Sequence, residues 1–543
     1  MLKPLSLQDA SYLYFETAET PAHVGSVSLV DLPWGYRGEF FADYKATIAS
    51  RISLIPFLHE KLVQLPFDLE RPFWVEDEHI DLDHHIRRVS VPRPGTMRQL
   101  EALVAQLHEH PLDRDRPLWE FYVIEGLQSG QLALYTKVHH AAMDGAASQI
   151  LISAMYDPSP APRTLPRVPA DHRGGLANLA RGVLAQQVRR AIRAMQFWPE
   201  LASVLARVVL PDPKTLRFRR IPPMPRATWT QLNVGITRQR VYAARTLPLA
   251  AISQLAKLTD TKVNDVILAI CSGALRGYLR DKQALPARPL VAMVPILARD
   301  PADQSANQNS LLLCSLASNL ADPYERLLAI HRSTEEQKQR FELFKDLPIP
   351  DVNVPGTSAI VRGLARLYGR TGLAGHPPVL GNLTISNIPG PTTPLYIAGA
   401  KIASMYPCSI PYHGQAVNIT VESYCDRLDF GLVACRRAVP DVAHLADRLA
   451  SSLTELTEAV GRHAPSAPAR PVELAAAPAA SAASAVPPAP RTPAMPEIPA
   501  AGTGSAASAQ PVVAEAPTAF PITANGKSAA LTNGKSRVNG VRS

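Results

Sequence analysis

Between Leu132 and His140 apolar and polar residues alternate. Leu132, Leu134, Thr136, Val138 and His140 fall on one side of an extended chain, and Ala133, Tyr135, Lys137 and His139 on the other. A repeat of two is the pattern of a strand. A small-residue turn, Ala141 to Gly145, follows, and Ile150, Leu151 and Ala154 then recur at helical spacing. A second alternating run spans Ala416 to Ser423, and Leu249 to Leu279 has the pattern of a helical stretch. Another helical pattern runs from Leu176 through Leu179, Val183, Leu184, Val188, Ile192 and Met195 until Pro199 breaks it. The segment DPSPAPRTLPRVP, Asp157 to Pro169, suits neither helix nor strand and marks a boundary. Beyond His463 the chain turns to Pro, Ala, Ser and Thr with few aromatics, a composition that cannot bury enough surface to offset the entropy of ordering. The patterns predict a mixed α/β chain in four parts: a domain at 1–156, a Pro-rich linker with a basic crossover helix at 157–225, a second domain at 226–463 and a disordered tail at 464–543.

Composition narrows the partners. A chain of 543 residues with 46% hydrophobic content can build more than one core. Its net charge of +9 favours acidic partners, whether phosphate-rich small molecules, anionic lipid or nucleic acid. No nucleic-acid reading motif accompanies the charge, so nucleic acid is not expected. The five cysteines are scattered without a CxxC pair, which points to free thiols in a reducing compartment. The opening MLKPLSLQDASYLYFE has no basic-then-apolar leader, and no run of roughly 18 apolar residues offers a membrane span. A cytoplasmic chain is the expectation.

The chemistry concentrates at HHAAMDG, residues 139–145. Neighbouring histidines on a strand point to opposite sides and cannot easily grip one metal, so no metal site is expected here. A histidine at a strand end beside a turn can instead project into a cleft, where a neutral imidazole can take a proton from a hydroxyl near pH 7. Asp144 is placed to lock the turn through an ion pair, and Gly145 permits a close backbone approach.

This HHxxxDG pattern resembles the signature shared by chloramphenicol acetyltransferases, peptide-synthetase condensation domains and the wax ester synthase/diacylglycerol acyltransferases. Further stretches resemble the last of these. They are LSLQDASYLYFETAETPAHVGSVSL at the start, Pro117-Leu118-Trp119 in LDRDRPLWEFYVIEGL, Asn264-Asp265 before VILAICSGALRGYL, and NLTISNIPGP from Asn382 to Pro391. The resemblance covers about residues 1–460 in consistent order. It implies two chloramphenicol-acetyltransferase-like α/β domains with the site in a tunnel between them. It also implies transfer of a fatty acyl group from acyl-CoA, a co-substrate rather than a bound cofactor, to a fatty alcohol or diacylglycerol hydroxyl. His140 is then the general base, with His139 and Asp144 in support and no covalent acyl-enzyme; no GxSxG elbow is present. Ser386 or Thr384 is the candidate oxyanion donor, Asn264 and Asp265 are candidate site residues, and Trp119, a residue type that more often packs a core than touches substrate, is expected to support the tunnel wall. One departure is Val294-Pro295-Ile296-Leu297-Ala298-Arg299, which lacks the serine of the family's strand.

Two rival readings remain: an HHxxxDG condensation or acetyl-transfer enzyme for carrier-bound or small polar substrates, and a non-catalytic lipid-droplet protein. Insoluble substrates favour a peripheral position at the inner membrane face or on lipid inclusions. The stripe Arg362, Arg366, Arg370 and the basic helix near 176–198 suit such a surface, and suit solvated helix faces equally well.

Overall fold

The structure is a computed structural model that describes residues 5–64, 71–143, 145–163, 222–297, 309–344, 361, 363–364, 367–368 and 379–463. The described residues belong to one compact unit. The predicted crossover helix, the Arg362/Arg366/Arg370 stripe and the tail from 464 onward lie outside the described residues. None of the described helices is long and apolar enough to cross a membrane.

Along the first half run α1 (Leu7–Phe15), β1 (His23–Asp31), α2 (Phe40–Arg51), α3 (Pro56–His59), β2 (Glu60–Val63), β3 (Phe73–Glu76), α4 (Leu82–His85), β4 (Ile86–Ser90), α5 (Met97–His108), β5 (Trp119–Glu125), β6 (Leu132–His139) and α6 (Gly145–Met155). The second half continues with β7 (Arg240–Pro248), α7 (Leu249–Leu258), α8 (Val263–Asp281), β8 (Val291–Leu297), β9 (Asn309–Ser315), α9 (Pro323–Phe344), β10 (Leu383–Ile388), β11 (Tyr396–Ile397), β12 (Ala400–Cys408), β13 (Val417–Tyr424), β14 (Arg427–Cys435) and α10 (Val442–His463). The helical stretch expected from 249 to 279 is in fact two helices. Asp260 turns to a φ of 50° between them, and the hydroxyls of Thr259 and Thr261 bond each other at 2.9 Å. Side chains of this kind compete for backbone groups and end a helix.

Two six-stranded sheets organise the unit, in the orders β11-β12-β1-β6-β5-β4 and β7-β14-β13-β10-β8-β9, with β2 and β3 as a separate hairpin. The first sheet is completed by strands from late in the chain: β12 lies antiparallel to β1, with Gly25 opposite Cys408. β5 is buried on both faces. Phe121 and Val123 pack with Tyr44 and Ile48 of α2, whereas Tyr122 and Ile124 pack with Leu100 and Val104 of α5. Each such side chain contributes about 1.5–3 kcal/mol on burial. In the second sheet Ile385, Ile419, Val421 and Phe430 face α8 and α10 through Ile270, Leu275, Leu445 and Leu449. The opposite face of β10 and β13 is polar: Thr384 and Ser386 lie beside Asn418 and Thr420, with Glu422 next along.

The sheets meet at close range. A Cβ on Gly431 of β14 would lie 1.7 Å from the Pro407 carbonyl oxygen of β12, so only glycine fits there.

Candidate active site

β6 delivers the histidine pair. His139, its last residue, sits opposite His23 of β1 and donates its main-chain N–H to Leu118 O at 3.0 Å. Its ring points inward and is 1% exposed. Nδ1 accepts from the Ala141 N–H at 3.1 Å, so in the neutral ring Nε2 carries the proton. That nitrogen faces Glu16 Oε1 at 3.6 Å. Glu16 caps the end of α1, where it accepts from the Ala22 N–H at 3.0 Å and from Arg114 Nε at 2.9 Å. Burial pushes the Glu16 carboxyl up, but His139, Arg114 and the Ala22 N–H together bring it down to about 2. It is therefore an anion at neutral pH.

The strand stops at His139, one residue short of the end expected from the alternation, so His140 lies just beyond it. Its main-chain N–H donates to Ala22 O at 2.8 Å, which carries the pairing with β1 one residue past His139 and His23. The imidazole stacks face to face on Tyr12 of α1, with centroids 3.8 Å apart and planes 10° from parallel. Nδ1 is sealed from solvent and has no hydrogen-bond partner among the described residues, although the residue as a whole keeps partial exposure. Burial, against the residue's own backbone carbonyl and with a smaller contribution from His139, brings the His140 pKa down to about 4. The ring is neutral at pH 7 and free to accept a proton.

Residues 5–267 match the wax ester synthase/diacylglycerol acyltransferase catalytic domain, and residues 305–457 match the WS/DGAT C-terminal domain. A Mycobacterium tuberculosis chain named a probable diacylglycerol O-acyltransferase is 35% identical over 468 residues, covering 83% of this chain and 98% of the relative. The chain belongs to the wax ester synthase/diacylglycerol acyltransferase family. The O-acyltransferase WSD of Acinetobacter baylyi is 35% identical over 475 residues, 84% of this chain and 98% of that one. The solved wax ester synthase/diacylglycerol acyltransferase of Marinobacter aquaeolei VT8 superposes with a TM-score of 0.60 at 34% identity, across 84% of this chain and all of that one. The protein is an acyltransferase with the mixed α/β fold of that family.

Against this acyltransferase frame the remaining sequence candidates sort by position. Asp144 lies outside the described residues, and Gly145 opens α6. Pro117 precedes β5; Leu118 is fully buried beside Ala141 and accepts from the His139 N–H, so it braces the pair through its backbone. Trp119 is a packed residue of the first sheet. Its ring is fully buried, stacks on His85 at 4.3 Å and donates Nε1–H to Leu58 O at 2.9 Å. Asp265 is buried: its carboxylate accepts from the Lys262 N–H at 3.1 Å and from Thr334 at 2.8 Å, and meets His331 Nδ1 at 2.7 Å. Asn264 is partly buried in the first turn of α8. Thr384 commits its hydroxyl to Gln415 Oε1 at 2.8 Å, whereas Ser386 makes no side-chain hydrogen bond among the described residues. The sequence reading missed Tyr12, Glu16 and Arg114. A spacing of four on a helix puts Tyr12 and Glu16 on one side, but nothing local says what that side meets.

Proposed function

We propose that this acyltransferase moves a long-chain acyl group from acyl-CoA to the hydroxyl of a diacylglycerol or a fatty alcohol, with His140 as general base. The carrying observation is the neutral His140 imidazole, fixed flat on Tyr12 at the end of β6. The acceptor hydroxyl gives its proton to the imidazole as its oxygen attacks the thioester carbonyl. The tetrahedral adduct collapses, the C–S bond breaks, and the CoA thiolate takes the proton back from the imidazolium. Triacylglycerol or wax ester and free CoA result, and no group on the protein is acylated. Ser386 is the better of the two strand hydroxyls for the oxyanion, since Thr384 is occupied by Gln415.

The parts 1–156 and 226–463 act as the two acyltransferase lobes in this reading, joined by 157–225. Water-insoluble acceptors are met by a cytoplasmic chain resting peripherally on a lipid surface, a role suited to the fully exposed Trp34 between β1 and α2.

The test is to incubate pure protein with palmitoyl-CoA and either hexadecanol or a diacylglycerol, following CoA release and lipid product. His140→Ala lowers turnover by about 10²–10⁴-fold, the range of general-base assistance. Wild-type turnover in that variant would overturn the base assignment, and absence of CoA release with both acceptors would overturn the lipid reading.

A further inference from the structure

We propose that α1 is a two-point clamp on the histidine pair, in which Tyr12 and Glu16 are positioning residues for the transfer reaction. The inference rests on His140 being the base and goes beyond it by naming what holds that base in place.

Tyr12 and Glu16 lie four residues apart, so one side of a short helix reaches both histidines. Tyr12 covers one face of the His140 ring over a 3.8 Å stack. A flat contact of this kind limits rotation about the ring's side-chain bonds and keeps water off that face. Glu16 acts one step further back. Its carboxylate faces His139 Nε2, the opposite nitrogen of that ring takes the Ala141 N–H, and Ala141 is the residue immediately after His140. The His140 backbone is thereby pinned from both sides: Ala22 O takes its own N–H, and His139 takes the next one. Arg114, from the loop before β5, holds Glu16 and also donates to Leu13 O at 3.2 Å, tying the end of α1 down. Leu13 and Ala10 of the same helix are buried with Leu118 and Ala141, so the clamp is anchored by packing as well.

Among the described residues the groups facing His140 are few. From α1 it meets the Tyr12 phenol, which burial and Asp9 push up to about 12 and which stays neutral; from its own segment it meets His139. Loss of the Tyr12 ring therefore acts on the His140 proton mainly by admitting water, which moves its pKa upward toward the ordinary 6.5.

The experiment measures kcat, KM for palmitoyl-CoA and the acid limb of kcat/KM in the full chain for Tyr12→Leu, Tyr12→Phe and Glu16→Gln. His140→Ala is run in parallel, and circular dichroism with thermal melting confirms folding. Tyr12→Leu lowers kcat by roughly 10–100-fold with KM within about three-fold, the signature of a displaced base rather than lost substrate binding. It also moves the acid limb to higher pH. Tyr12→Phe keeps the ring and rescues both readouts. Glu16→Gln lowers kcat by about ten-fold and leaves the acid limb in place, because the Tyr12 stack is intact. A folded Tyr12→Leu protein with wild-type kcat and acid limb overturns the clamp, as does a folded Glu16→Gln protein at wild-type kcat. If His140→Ala is itself fully active, the base assignment falls and the clamp with it. An inactive His140→Ala beside an unaffected Tyr12→Leu overturns the clamp alone.

Discussion

Asp265→Ala separates a residue of the fold from a residue of the chemistry in the Asn264-Asp265 motif. The carboxylate is 1% exposed and is met by the Lys262 N–H, the Thr334 hydroxyl and His331 Nδ1, all within 3.1 Å. Truncation removes the acceptor at the start of α8, a loss of about 1 kcal/mol for a helix cap. It also leaves His331 without its carboxylate, a hydrogen bond involving an ionised group worth about 1.5–3 kcal/mol. Thr334 retains a second contact, 2.9 Å to His331 O, and adds little. The sum is about 3 kcal/mol, which for a unit well beyond 250 residues, at about 2.1 cal/mol/K of unfolding entropy per residue, lowers Tm by roughly 3–4 °C. Scanning calorimetry reads the shift, and CoA release at 15 °C, well below melting, reads the chemistry. The variant should melt early yet retain turnover within about three-fold, since a group sealed against α9 makes no transition-state contact to lose. A variant that melts with the wild type and has lost most of its turnover would refute this reasoning and move Asp265 into the site.

Two further outcomes follow from packing and charge. Glu422 is buried on β13 directly opposite Asp429 of β14, and burial, with the Asp429 charge, raises its pKa from 4.5 to about 8. A carboxyl that binds its proton more tightly when folded supports the fold fully below about 4.5 and loses that support as pH climbs to about 8. Melting scans should show this decline, and Glu422→Gln should flatten it; an unchanged slope in the variant excludes Glu422 as its source. Gly431→Ala places a methyl group against the Pro407 carbonyl, where two backbones already touch, and should yield insoluble protein on expression; a soluble variant melting like wild type would show that β12 and β14 can part.

Much of this molecule can be read from its residues, and the boundary of legibility has a physical origin. The strand–turn–helix around His139 and His140 is visible because alternation and helical spacing are local properties, recorded within 24 residues from Leu132 to Met155. The two-helix break at Thr259-Asp260-Thr261 is equally local, but the apolar positions on either side keep helical spacing and mask it. Glu16 belongs to another class. It meets His139 across more than a hundred residues of chain, and no spacing rule encodes such a contact. Trp119 is seated on Leu58 O and His85, partners that only the folded chain identifies. The pairing of β1 with β12 is hidden for the same reason.

That last pairing has a consequence for how the chain is made. β1 leaves the ribosome early, but the strand that covers one of its edges ends at Cys408, 377 residues after Asp31. At the usual 5–20 residues per second, that edge waits roughly 20–75 seconds for its cover. Throughout this interval a row of unbonded amides and carbonyls is open to other chains. Newborn protein is thus most vulnerable to aggregation in the time between synthesis of its two halves, and fragments cut between them would inherit that exposure permanently.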